Sequence, residues 1–245
     1  MLNYMMTYEN FNGDGKTIYQ ELNQDQYLDI LENYCTQYSE ENSKIYRALK
    51  SRTNKKSAPF YYIKPVKGSR VSRNSFNFHT LIINNHPLWK DYPNRDVICT
   101  TRLKTATLYG NTIYEVIPFD NSKIGISPTY DIWKAFMKNY DNPSLKIYQI
   151  IRNTVNLSEK TIKERLQYDY NDFIHLAMGI SKDMILKSGK LTESDLQGCN
   201  TLYDYLIKEI NPKDFILETY HKGIELPSDS EVWLDNFCLM KKISK

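Results

Sequence analysis

Four short pieces of the chain hold residue types able to do chemistry together: Arg47 in Ile45-Tyr46-Arg47-Ala48-Leu49, then Cys99-Thr100-Thr101, Tyr114-Glu115-Val116-Ile117-Pro118 and Asp229-Ser230-Glu231. A guanidinium offers a planar fork of donors, hydroxyls orient their neighbours, and a carboxylate can accept a proton or face a developing positive charge. Taken singly each piece is ordinary. An arginine after a tyrosine is usually a surface cation, a Thr-Thr pair is usually β-propensity, and an acidic pair soon after Pro227 reads equally well as a solvated turn. Order along the chain, and strand context for three of the four pieces, carry the argument. The familiar alternatives are missing: there is no GxGxxG, GxxxxGK[ST], GxSxG or HExxH. His79, His86, His175 and His221 are too dispersed to suggest a metal site by spacing.

In that order the pieces resemble the arginine/serine/glutamate class of mono-ADP-ribosyltransferases. Arg47 resembles the family's first-strand arginine, and Cys99-Thr100-Thr101 its Ser-Thr-Ser strand. Ile117-Pro118-Phe119-Asp120 resembles a Val-Pro-Gly ending, and Asp229-Ser230-Glu231 the Glu-X-Glu signature. The resemblance implies NAD as co-substrate, with Arg47 holding the diphosphate bidentately. It implies Glu231 as the carboxylate that stabilises the oxocarbenium-like charge formed when nicotinamide leaves. Cys99, Thr100 and Thr101 would line the nicotinamide pocket and orient that glutamate; Asp229 would act on the incoming nucleophile. Cys99 stands where serine is usual, and a thiol is the poorer hydrogen-bond partner. Asp229 is shorter than the family's Glu or Gln.

The elements that must position these residues follow from patterning. Tyr27, Leu28, Leu31, Tyr34, Cys35 and Tyr38 recur at helical spacing, with Asn23 a candidate cap. Strands are expected at 43–49, 60–63, 96–101 and 112–118, and a short helix over 103–109 ending at Gly110. Between 69 and 94, His86-Pro87 and Tyr92-Pro93-Asn94 break any helix. Residues 130–222 turn helical, for instance Tyr130–Met137 and Ile162–Ile185. Apolar β-type residues return at Glu231–Leu234 and Phe237–Met240, and Asp235-Asn236 between them reads as a tight hairpin. The expected fold is α+β, a split, mixed or antiparallel transferase-like sheet in a single domain over 1–245, with 130–222 a helical insertion. The 130 positions from Thr101 to Glu231 (231 − 101) require that insertion. Trp89, Trp133 and Trp233 are expected in the core, Trp233 on the face opposite Val232.

Composition bounds the rest. At 245 residues and 41% hydrophobic the chain can bury a core, and a net charge of +3 is too mild to argue for nucleic-acid binding alone. Cys35, Cys99, Cys199 and Cys238 form no CxxC pair, which suggests a reducing compartment. No export signal and no run of 18 apolar residues is evident, so a cytoplasmic location without a membrane is expected. The basic cluster from Lys50 through Lys55, Lys56 and Arg70 to Arg73, and the donor-rich run Ser69–Thr80, suggest a positive surface or a polar loop. Arg95 reads as an ion-pair partner in preference to a second phosphate ligand. Three readings follow: a phage or bacterial effector modifying a host protein or nucleic acid, a nucleic-acid-binding accessory protein using the 50–73 region, or a catalytically inactive transferase-like interaction module.

Overall fold

A computed structural model describes residues 18–49, 57–66, 77–136, 143–166 and 169–243. Most of the basic cluster and the stretch 67–76 lie outside the described residues. Among the described residues nine strands form one sheet: β1 Ile18–Leu22, β2 Ile45–Leu49, β3 Phe60–Lys64, β4 Val97–Thr100, β5 Thr112–Pro118, β6 Lys123–Ile126, β7 Ile216–Thr219, β8 Glu231–Leu234 and β9 Cys238–Lys242. Their order is β1-β3-β9-β5-β2-β4-β8-β6-β7, and every described pairing is antiparallel.

The sheet is continuous but thinnest at its middle. β2 shares five registered pairs with β5 and β4 shares four with β8, but β2 meets β4 at Tyr46↔Thr100 alone. Two short connections bridge the halves: Phe119–Ser122 leads from β5 to β6, and Asp235–Phe237 from β8 to β9. Each joins strands four places apart. On a flat sheet that is about 19 Å, at roughly 4.8 Å per strand. From Leu234 to Cys238 is only four residue steps, which extend at most about 14 Å. The sheet therefore rolls so that the halves face each other. The expected β8–β9 hairpin does not form, because each strand finds its partners in a different half. Asp235-Asn236 makes the crossover instead: Asp235 Oδ2 accepts from Asn94 N (3.0 Å) and Asn236 Nδ2 donates to Ser122 Oγ (3.1 Å).

The roll encloses the main core. Ile45, Tyr61, Ile63, Tyr114, Val116, Cys238 and Met240 from one half meet Val97, Cys99, Ile124, Ile126, Val232 and Leu234 from the other. Side chains in register share a face and alternate along each strand, so Tyr46, Thr100, Glu231 and Trp233 point outward. On the outer face α1, Gln24–Tyr34, covers Ile117 and Leu239 through Tyr27, Ile30 and Leu31. Asn23 closes its capping box, accepting from Gln26 N (2.9 Å) while Gln26 Oε1 accepts from Asn23 N (3.0 Å). A short α3, Leu103–Ala106, follows β4.

Two compact units emerge, the sheet unit (1–70, 92–132 and 215–245) and a helical unit (71–91 and 133–214). The short α4, Ile132–Ala135, spans their boundary in the sequence. The helical unit holds α2 Phe78–Asn85, α5 Pro143–Val155, α6 Glu159–Thr161, α7 Tyr170–Gly179, α8 Lys182–Lys187 and α9 Leu202–Glu209. The expected helix break therefore comes only at the end of α2, where His86 turns extended (ψ 138°) ahead of Pro87. The pattern over Ile162–Ile185 is interrupted, because Asp169 and Ser181 each cap a new helix. No helix among the described residues is long and apolar enough to cross a membrane.

Candidate functional site

The glutamate lies at the start of β8, and its backbone is fixed from both sides. Glu231 N donates to Thr129 O (2.8 Å), and Glu231 O accepts from Ser127 N (2.9 Å). Thr101 secures the approach: its hydroxyl donates to Pro227 O (2.8 Å) and accepts from Ser230 N (2.9 Å), while its own N–H donates to Ser230 O (3.0 Å). The side chain is equally engaged. Glu231 Oε1 is ion-paired with Arg95 Nη2 at 2.5 Å, and Oε2 accepts from Ile132 N at 3.1 Å. Glu231 and Arg95 are 6% and 3% exposed. Arg95 also lies over the Trp233 ring at 6.0 Å, and that indole donates to Pro93 O (2.8 Å). A carboxylate taken so far from water is held by the charge beside it.

Arg47 goes elsewhere. It sits between Ile45 and Leu49 on the inward face of β2, 6% exposed and in register with Tyr114. Its Nε and Nη2 donate to the Tyr19 hydroxyl at 2.9 and 2.7 Å, and its Nη1 donates to Ile98 O at 2.5 Å. Tyr19 belongs to β1, four places from β2, so only the rolled sheet lets the two meet. The expected cleft, with Arg47 and Glu231 facing one ligand, is corrected accordingly: the two side chains leave opposite faces of the sheet. The period-2 alternation decides this, since Tyr46, not Arg47, is in register with Thr100 and through it with Glu231.

The other predicted residues divide between these faces. Cys99 joins the inner core, away from Glu231. Thr100 shares the outer face with Glu231, is buried, and accepts from Arg102 N (3.2 Å). Asp229 takes a left-handed backbone (φ 63°), which aspartate tolerates better than most residues. Its carboxylate pairs with Arg102 Nη1 (2.8 Å) and accepts from the Thr105 hydroxyl (3.1 Å). Asp229 thereby ties the loop before β8 to α3.

Sequence reasoning missed Tyr19, which lies in a strand that was not expected, and the backbone donor at Ile132. Arg95 was visible as an arginine in a Pro-Asn-Arg-Asp turn directly before β4. Among the described residues no group of His, Cys, Asp and Glu is arranged to hold a metal ion. Comparison with protein-family models, with characterised proteins and with solved structures gives no match.

Proposed function

We propose that the chain is a non-catalytic interaction module built on a transferase-like strand order, and that it does not cleave NAD. One observation carries this reading: Glu231 is closed into a buried pair with Arg95, while Arg47 is turned into the core on the other face. A catalytic carboxylate must face the ribose carbon as charge develops there. Here both carboxylate oxygens already have donors. The test is incubation with NAD labelled in its adenylate part, alone and with a host lysate, followed by detection of transferred label and free nicotinamide. Neither should rise above a protein-free control. Label transfer that disappears in Glu231→Gln would overturn the proposal.

A second reading is favoured by a separate observation. The arginine strand, the hydroxyl strand and the glutamate strand are neighbours, β2-β4-β8, although 184 positions (231 − 47) separate the outer two residues. On that reading the protein is a mono-ADP-ribosyltransferase acting on a host protein or nucleic acid with release of nicotinamide. Glu231 would be its catalytic carboxylate and Thr100 its hydroxyl partner. It requires Arg95 to release Glu231 and a cation other than Arg47 to hold the diphosphate.

A further inference from the structure

The turn after β4 carries three exposed large apolar side chains. Leu103 is 44% exposed, Leu108 73% and Tyr109 53%, on a firmly anchored segment. Thr105 and Ala106 are buried beneath it, and the Thr105 hydroxyl donates to Asp229. Leu108 N and Tyr109 N donate back to Thr105 O (3.1 Å) and Ala106 O (3.0 Å). Gly110 then returns the chain so close to β2 that a Cβ there would lie 2.6 Å from Leu49 O. The apolar side chains are therefore held outward by the fold. Arg102 and Lys104 flank them, both exposed. Large apolar groups displayed on a rigid support mark an interaction surface, because little ordering remains to be done on binding.

A complementary surface exists on α1. Asp25, Leu28, Asp29 and Glu32 fall at i, i+3, i+4 and i+7, one stripe of the helix, and all four are exposed, Leu28 at 41%. The helix contains no Lys, Arg or His. Glu32 sits close to its C-terminus, where the helix dipole favours a cation. That arrangement gains nothing for the helix itself and suits an incoming positive charge.

We propose that the finger formed by Leu103, Leu108 and Tyr109 of one copy seats on the Asp25–Glu32 stripe of a second copy, so that the chain associates with itself. Leu108 and Tyr109 meet Leu28, while Lys104 faces the three carboxylates. The inference goes beyond the non-catalytic reading and stands whether or not NAD is cleaved, because neither patch contains Glu231. A contact of this unlike kind closes into a two-fold pair if it is made twice, and otherwise builds a longer series.

The test is sedimentation of the full chain, from low micromolar to on the order of 500 µM, at low and high salt. Wild type should associate with rising concentration, and less so in high salt. Leu108→Ser with Tyr109→Ser, or Asp29→Lys with Glu32→Lys, should each weaken association by about tenfold or more. Circular dichroism checks that both variants fold. Mixing them supplies one intact finger and one intact stripe, and should restore a mixed complex. A wild type that stays monomeric throughout overturns the proposal. So does association that survives the finger substitutions, or variants whose mixture stays apart.

Discussion

Glu231 and Arg95 form a buried pair in which each charge depends on the other. Removing either would leave the other buried and uncompensated, the costly half of any buried ion pair. His86 offers a second case in the helical unit. Its Nδ1 accepts from Leu88 N (3.2 Å), which leaves the proton on Nε2 for the Tyr203 hydroxyl (3.0 Å). Burial lowers its pKa, because the charged imidazolium is disfavoured there. Below the unfolded value of about 6.5 the unfolded chain takes up a proton that the folded chain resists. Stability is thus intact above that pH and falls as the pH drops through the window beneath it. Thermal unfolding should show the helical unit melting at lower temperature near pH 5 than near pH 7.5. His86→Asn keeps an acceptor for Leu88 N–H without a titrating group, and should flatten that dependence. At this scale the sequence was a partial guide. It marked Arg47, Thr100 and Glu231 as candidates, yet residue type does not encode the face from which a side chain emerges. That depends on registers such as Tyr46↔Thr100, set by strands far away in the chain.

Elements were more legible. Asn23 as a cap announced α1, and the β5 run Thr112–Pro118 holds enough β-branched and aromatic residues to be read residue for residue. β1, β6 and β7 escaped although they are as long as β4 and β8, because β1 follows directly on a polar lead-in, β6 carries Gly125 in its middle and β7 falls in the stretch that reads as helical. The false hairpin at Asp235-Asn236 has another root: turn chemistry is local, whereas the choice of strand partner is not. Gly125 shows what β6 must satisfy. A Cβ there would overlap the Trp233 indole, which lies across the strand from β8. Gly125→Ala should therefore destabilise the protein by about 1–3 kcal/mol in urea unfolding. Gly179→Ala is the control. A Cβ there meets nothing within 4 Å at the end of α7, and the change should be neutral or stabilising by up to about 1 kcal/mol.

For the whole molecule, the α+β character follows from the alternation of short strands with helical stretches, and it is present. The roll was not legible. It comes from two connections of three and four residues that each join strands four places apart, a geometric constraint that appears only once the strand order is known. Rolling the sheet separates an inner face, where Arg47 is secured to Tyr19, from an outer face, where Arg95 closes on Glu231. The strand order β2-β4-β8 is thereby compatible with a protein that does not bring the two residues together. Self-association through the finger and the α1 stripe would give such a scaffold a use that needs no chemistry.

The central claim is that Glu231 serves Arg95, and a double-mutant cycle on the two residues tests it most directly. Unfolding free energies would be measured for wild type, Arg95→Met, Glu231→Gln and the double variant. Each single change should cost about 3–5 kcal/mol, and the double variant far less than their sum, since it leaves no buried charge alone. A Glu231→Gln protein as stable as wild type within about 0.5 kcal/mol, with no coupling to Arg95, would contradict the account and return Glu231 to candidacy as a catalytic group.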